Sequence, residues 1–165
     1  MKTINADWLQ QHGDRLWADE TLRNSLLWLQ SEQQLEPSLV LLLLALYQQD
    51  CCLTAAHAAV LKAQLHSWSL AVLQPLRAIR QAAKGQLAEG DYQALLSSEL
   101  TLERHGQQLL LQALPSPLSV SAPLNGVDSH PGYEYLIDIF QAWELTPQQW
   151  PEWVQAPFKA VVHGH

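Results

Sequence analysis

The run Leu39–Tyr47 contains nine consecutive apolar residues, LVLLLLALY, and constrains the fold more than any other segment. A helix that crosses a membrane needs about 20 such residues, so this run predicts a buried helix in a folded protein, not a membrane span. Pro37 suits the first turn of the helix, because the N–H that proline lacks has no partner there. Since apolar residues surround the whole helix, we expect it at the centre of a bundle.

The rest of the chain also favours helix over strand. β-branched residues are few, whereas Leu, Ala and Gln, all compatible with helix, dominate the 165 residues. With a hydrophobic content of 48%, the chain can bury a core without a metal ion or a disulfide. We predict an all-α fold, a helical bundle of about five core helices followed by a short C-terminal helix and an aromatic tail.

Composition divides the chain into three predicted parts. Residues 1–114 form the helical bundle domain. Residues 115–130 contain three prolines and four serines without a helical period, which indicates a linker. Residues 131–165 form the C-terminal helix and the aromatic tail, which we expect to pack either on the bundle or on a partner.

Glycine and proline delimit the predicted helices on both sides of the apolar run. A first short helix over residues 6–11 breaks at Gly13, and a second helix covers residues 21–34. In the tail, Pro151 and Pro157 are expected to prevent a long helix, because proline removes a hydrogen bond from a helix interior.

The longest predicted helix covers residues 54–84, where apolar residues recur at spacings of three and four, close to a heptad seam. Pro75 lies inside this helix, so we expect a kink there. Asp91 is the predicted N-cap of a fifth helix that ends near Leu114, and the short connection before it makes the two helices an antiparallel hairpin. The seam residues are Leu61, Leu65, Trp68, Val72, Leu76, Ile79 and Ala83.

The hairpin also brings charged residues between its helices. The apolar spacing of the fifth helix includes Glu99, and the antiparallel register sets Arg77 opposite it. One interpretation is a structural ion pair between the helices. The other is a pocket for an anionic ligand, flanked by Trp68. The candidate binding residues are Trp68, Arg77, Arg80, Lys84, Glu99 and Glu103.

Charge and motifs exclude several classes of function. The net charge of −7 argues against a protein whose main task is to bind a nucleic-acid backbone, although residues 37–88 carry four bases and one acid. Histidines and cysteines do not occur at metal-ligand spacings, and the sequence has no nucleophile elbow and no glycine-rich phosphate loop. We therefore expect no catalytic residues, no metal, no cofactor and no nucleic-acid partner.

Four large aromatic residues lie within sixteen positions of the C-terminal tail. Because such rings are costly to leave in water, the tail should be buried. It can fold back on its own bundle, or it can dock onto another protein or a second copy of this chain. The candidate interface residues are Trp143, Trp150, Trp153 and Phe158.

Several segments of the chain together resemble a known family. They are LWADETLRNSLLWLQ at 16–30, the apolar helix after Pro37, the pattern from Trp68 to PLRAIRQAAK at 68–84, and SELTLERHGQQLLLQAL at 98–114. Over about residues 8–114 the chain resembles the proteobacterial family called domain of unknown function 2390. Where this resemblance leads us to expect a Gly-Leu-Asp-Val-Asn-like turn, the chain has QLEPS. The resemblance implies a helical fold and a bacterial cytosolic setting, but no particular reaction.

These observations leave two functions open. The N-terminus lacks the apolar segment of a signal peptide, so we expect a cytoplasmic protein without a membrane partner. The absence of catalytic motifs favours a non-enzymatic helical protein-interaction or regulatory protein, which binds a protein partner or a second copy through residues 68–84 and the aromatic tail. The alternative is a binder of a small anionic ligand, or an enzyme, that uses an Arg/Glu pocket in the hairpin.

Overall fold

The computed structural model describes residues 4–115 and 132–163, and these residues form helices and turns but no strand. The prediction of an all-α helical bundle is confirmed. The helices are α1 (Ala6–Trp17), α2 (Glu20–Gln33), α3 (Pro37–Gln48), α4 (Ala55–Trp68), α5 (Gln74–Ala83), α6 (Glu89–Ala113), α7 (Tyr133–Ala142) and α8 (Glu152–Val162), with a π-helical turn at Ser69–Leu73 and a 3-10 turn at Pro147–Gln149.

The apolar run forms the central helix of the bundle. Eight residues of α3 are buried, and the helix contacts α1, α2, α4, α6 and α8. Because each buried leucine side chain stabilises the fold by roughly 1.5–3 kcal/mol, α3 is the main apolar element of the core. Within the described residues, no helix combines the length and the apolar character that a membrane crossing requires.

α1 continues through Gly13, so the predicted break at this residue is wrong. The helix begins where the side chain of Asn5 accepts a hydrogen bond from the backbone N–H of Trp8, at 2.9 Å. Apolar residues on one face of α1, including Leu9 and Leu16, are buried in a helix that packs on α3. Their burial offsets the cost of about 1 kcal/mol that a glycine imposes on a helix interior.

The predicted helix over residues 54–84 is one helical segment with a wider turn in its middle. The π-helical turn Ser69–Leu73 precedes Pro75, where a proline has no N–H to bond the preceding turn. Because a π turn takes up more residues than an α turn, it shifts the buried face of the helix. Leu73 is buried, whereas Ile79, a predicted seam residue, is 57% exposed. The predicted heptad seam is therefore wrong at Ile79.

α5 and the first part of α6 project from the core as a two-helix arm, which we define as residues 74–98. No residue of the arm is buried, although α5 packs along α6. Gly85 adopts a φ of +80° in the turn between the two helices, a conformation that glycine takes without strain. α6 begins at Glu89, so Asp91 lies in its first turn instead of at the predicted N-cap. The arm thus lacks an apolar core of its own.

α7 and α8 pack against the helices that precede them. The indole N–H of Trp143 donates a hydrogen bond to the backbone carbonyl of Ala58 in α4, at 2.7 Å. The ring of Phe140 lies 5.6 Å from the ring of Phe158, centroid to centroid, and both side chains are fully buried. The predicted linker over residues 115–130 lies, apart from Pro115, outside the described residues.

α8 runs through Pro157, so the expectation that this proline prevents a longer helix is wrong. Proline cannot donate to the carbonyl of the residue four positions earlier, which here is Trp153. The buried hydroxyl of Ser25 in α2 donates to the Trp153 carbonyl instead, at 3.4 Å. A partner from another helix therefore satisfies the acceptor that the proline leaves free.

The close approach of α4 and α6 depends on Gly106. A Cβ atom at this position would lie 3.0 Å from Leu65 Cδ1 and 3.3 Å from Trp68 Cδ1. Gly106→Val should therefore lower the free energy of unfolding in urea by about 1–3 kcal/mol, because the added methyl groups overpack the contact. Gly90→Val, at a glycine of the same helix with open space around it, is the control. Equal losses in the two variants would contradict this packing.

Candidate functional site

The guanidinium of Arg77 lies among three carboxylates. It donates two hydrogen bonds to Glu36, at 2.8 and 3.0 Å, one to Glu99 at 3.2 Å and one to Glu103 at 3.1 Å. Its side chain is 12% exposed. Arg80 donates a short hydrogen bond to Glu99 and completes the group. We call Glu36, Arg77, Arg80, Glu99 and Glu103 the ion cluster.

Three segments of the chain position the ion cluster. Arg77 and Arg80 lie three residues apart in α5, and Glu99 and Glu103 lie four residues apart in α6, so each pair shares a face of its helix. Glu36 lies in the turn between α2 and α3. The two bonds from Arg77 to Glu36 form the planar bidentate geometry that makes an Arg–carboxylate pair strong. The cluster thus fastens the arm to the start of the central helix.

The charges of the ion cluster do not balance, since three carboxylates share two guanidiniums. Burial acts to lower the pKa of Arg77, but hydrogen bonds with Glu36 and Glu103 outweigh it, so the pKa lies above its ordinary value. Burial raises the pKa of Glu103 above its ordinary value, and the hydrogen bond from Arg77 opposes this only in part. The neighbouring carboxylates of Glu99 and Glu36 add a smaller effect in the same direction as burial.

Sequence patterns did not identify Glu36 as a member of the ion cluster. The residue lies outside the hairpin and belongs to no helical period, so neither heptad spacing nor antiparallel register points to it. It also accepts a hydrogen bond from Ser69 in the π-helical turn, at 2.6 Å. One signal was present, because Glu36 lies in the QLEPS segment where the family resemblance led us to expect a polar turn.

The other predicted binding residues lie apart from the ion cluster. The indole N–H of Trp68 donates to the backbone carbonyl of Leu102 at 2.9 Å, and its ring packs 4.5 Å from that of His105. These contacts hold α4 against α6. Lys84 is exposed just after the end of α5 and has no ion pair among the described residues. Neither residue contacts the carboxylates around Arg77.

Three of the four candidate interface aromatics lie in the core. Trp143, Trp150 and Phe158 are at most 5% exposed, whereas Trp153 is 53% exposed. The ring of Trp153 meets that of Trp28 edge-on, at 6.4 Å between centroids. An interface role for this part of the chain would therefore rest on Trp153.

A cleft of about 390 Å³ adjoins the ion cluster. We call it the α1–α6 cleft, because α1 and α6 contribute most of its lining, together with residues of α2, α3 and α5. Its apolar lining includes Leu27 and Leu100, which are 42% and 47% exposed. A second hollow of about 560 Å³, beside Tyr47 and Asp50, contains no residue of the ion cluster. The remaining apolar residues of the cleft are Leu9, Trp17, Pro37 and Leu41.

Four glutamines converge on the α1–α6 cleft from four different helices. They are Gln10 in α1, Gln30 in α2, Gln81 in α5 and Gln107 in α6. In the part of the chain that the structure describes, none of their side-chain amides has a hydrogen-bond partner within the protein. Each amide offers both donors and acceptors, so the cleft can satisfy neutral polar groups of a ligand.

Gly13 forms part of the α1 wall of the cleft. A Cβ atom added to this buried glycine would meet no heavy atom within 4 Å, so close packing does not require the absence of a side chain. A glycine inside a helix costs about 1 kcal/mol relative to alanine. Glycine also allows another backbone to approach closely, and the open space beside Gly13 belongs to the cleft.

The hydrogen bonds within the ion cluster limit which ligands the site can bind. Four of the five N–H donors of Arg77 are used by carboxylates, which leaves little of this guanidinium for an anionic ligand. Among the described residues, no group of three or more His, Cys, Asp or Glu side chains is arranged to hold a metal ion. The cleft therefore offers apolar surface, amides and paired charges.

A profile of the family described as "Protein of unknown function (DUF2390)" matches residues 8–110. The chain belongs to the DUF2390 family. The predicted resemblance is thereby confirmed. No curated protein and no solved structure matches the chain. The matched range contains the whole ion cluster and every residue that lines the α1–α6 cleft, whereas α7 and α8 lie outside it.

Removal of the central guanidinium tests the ion cluster of this DUF2390 protein. Arg77→Met should lower the free energy of unfolding in urea by about 3–5 kcal/mol, because it leaves the carboxylates of the cluster without this partner. Arg104→Met is the control, since Arg104 is exposed and has no ion pair among the described residues. We expect the control to change stability by about 0.5 kcal/mol or less. Similar losses in both variants would show that the cluster does not hold the arm.

The raised pKa of Glu103 predicts that the stability of the fold depends on pH. The pKa of Glu103 is higher in the folded protein than in the unfolded chain, so its protonation stabilises the fold. This contribution is complete below the pKa that Glu103 has in the unfolded chain. It is lost as the pH rises through the pKa that Glu103 has in the folded protein. Wild type should therefore lose stability relative to Glu103→Gln as the pH rises above about 4.3, the pKa of an unperturbed glutamate, as measured by urea unfolding. A difference that stays constant as the pH rises would contradict the raised pKa.

Proposed function

We propose that this protein is a non-enzymatic interaction protein that binds a segment of a partner protein in the α1–α6 cleft. The observation that carries the proposal is a single cleft lined by four glutamine amides, which have no protein hydrogen-bond partner among the described residues, and by two exposed leucines. The proposed class of function is the one predicted from the sequence, but the proposed binding surface is a different one. Arg77 and Arg80 belong to the cleft wall, whereas Trp68 and Lys84 do not line it.

The apolar residues of the cleft support a protein partner. Leu27 and Leu100 keep somewhat less than half of their surface in contact with water, and a bound apolar surface would cover it. Trp17, a residue type that often anchors interfaces, is partly buried in the same cleft. An apolar side chain of a bound segment can cover these residues, as in complexes where a peptide lies in a groove between helices.

The glutamines support a peptide main chain as the polar part of the partner. A peptide group exposes one donor and one acceptor, and an unpaired group costs about 1–3 kcal/mol when an interface buries it. Amide side chains on the walls of the cleft can pair with both. The open space beside Gly13 lets such a main chain come close to α1.

The predicted alternative, a binder of a small anionic ligand or an enzyme, receives less support. An anion would have to displace carboxylates from Arg77, which already makes four charge-assisted hydrogen bonds. Arg80 is engaged with Glu99 in the same way. The charged groups of the cluster thus satisfy one another, and the cleft is better suited to a largely neutral ligand.

Site-specific photocrosslinking in the native cells tests the proposed function. Leu100 is replaced by p-benzoylphenylalanine, and adducts are identified by mass spectrometry. We expect a discrete protein adduct from position 100, and its loss when Gly13→Leu fills the cleft from α1. Gly13→Leu should remain folded, because space is open around position 13 and leucine favours helix over glycine by about 0.5–1 kcal/mol.

The control places the same photocrosslinker at Val60, an exposed apolar residue of α4 that does not line the cleft. The proposal is rejected if positions 60 and 100 give the same adducts, if position 100 gives none, or if Gly13→Leu leaves the adduct unchanged. A reversed charge at Arg77 is unsuitable for this purpose, because it would break the ion cluster and unfold the arm.

A further inference from the structure

The ion cluster beside the α1–α6 cleft carries a net negative charge. It has three carboxylates for two guanidiniums, although Glu36, the most buried of the three, does not itself line the cleft. Asp14 and Arg104 also line the cleft, but both are exposed and opposite in sign, so water and salt screen them and their charges offset each other. The partly buried charge beside the cleft is therefore negative.

Glu103 is the carboxylate of the cluster that a ligand can reach. Its side chain is 33% exposed, compared with 7% for Glu36 and 11% for Glu99. It accepts one hydrogen bond, from Arg77, so lone pairs of both oxygens remain available. Glu36 and Glu99 add to the negative potential at this position, whereas Arg77, which is hydrogen-bonded to Glu103, and Arg80, which is paired with Glu99, reduce it.

We propose that the α1–α6 cleft selects partner segments in which a lysine or arginine lies between apolar residues, and that the basic side chain binds at Glu103. This inference rests on the proposed function and specifies the chemistry of the partner. The basic group would neutralise the excess charge of the ion cluster, while the apolar neighbours contact the exposed leucines of the cleft. The proposed partner has the opposite charge to the anionic ligand that the arginines alone would suggest.

The net charge of the chain is consistent with a basic partner. Sixteen acidic and nine basic residues give −7, so the protein attracts positively charged segments at long range. This attraction accelerates encounters but does not specify a site. Specificity must come from the local arrangement, because a neutral or acidic segment that covers Glu103 would remove it from water and leave the excess charge of the cluster without a further cation.

Two peptide libraries provide the test. Both consist of 15-residue fluorescent peptides with leucines flanking the centre, and they differ only in a central lysine or glutamate. Binding to the purified full-length protein is measured by fluorescence polarisation. We expect the lysine library to bind about tenfold more tightly than the glutamate library, a difference of about 1.4 kcal/mol. Glu103→Gln should remove this preference, and Gly13→Leu should abolish binding of both libraries.

Glu103→Gln keeps an acceptor for Arg77 and leaves the other carboxylates in place, so it changes charge with little change in shape. Val60→Glu, on an exposed part of α4 away from the cleft, should retain the lysine preference. Equal binding of the two libraries, preference for glutamate, or an unchanged lysine preference in Glu103→Gln would overturn the inference. If neither library binds while the adduct from position 100 forms, this inference fails and the proposed function stands. Loss of that adduct rejects both.

Discussion

Arg77 joins three segments of the chain that meet at the side of the bundle. Its bidentate bond to Glu36 ties α5 to the residue immediately before α3, the most buried helix, and its bonds to Glu99 and Glu103 tie α5 to α6. No residue of the arm is buried, so apolar packing of the kind that fixes α3 is not available there. The direction of the arm therefore depends on a partly buried ion cluster, whose desolvation cost is met only while all its members are paired.

The same bonds determine what the neighbouring cleft can bind. An arginine in a cleft often signals an anionic ligand, but this guanidinium is occupied by the protein's own carboxylates. What remains for a ligand is apolar surface, glutamine amides and the incompletely paired Glu103. The same residues thus serve both stability and recognition. Their side chains hold the arm in place, and they also set the charge of the cleft lining on α5 and α6.

The sequence predicted the parts of the fold that follow from local periodicity. The apolar run marked α3, and the hairpin register placed Arg77 near Glu99, because both depend on helical spacing alone. The sequence did not predict contacts in which a residue's hydrogen-bond partner lies in a distant helix or turn. Nothing near Pro157 reveals that Ser25, more than a hundred positions earlier, bonds the carbonyl that the proline leaves free. Glu36 likewise joins the cluster from a turn without helical periodicity, where the family resemblance alone pointed to a polar turn.

The π-helical turn Ser69–Leu73 has a consequence for how the length of this chain can vary in evolution. It contains the extra residue that lets Arg77 face Glu36 while α4 keeps its own contacts with α6. Deletion of that extra residue would turn the π turn into an α turn and leave α4 and α5 close to their present register, whereas deletion of a residue within either helix would rotate everything beyond it by about 100° about the helix axis. Length changes should consequently be rare within α4 and α5, and better tolerated at the π-helical turn and at the solvent-exposed turn around Gly85.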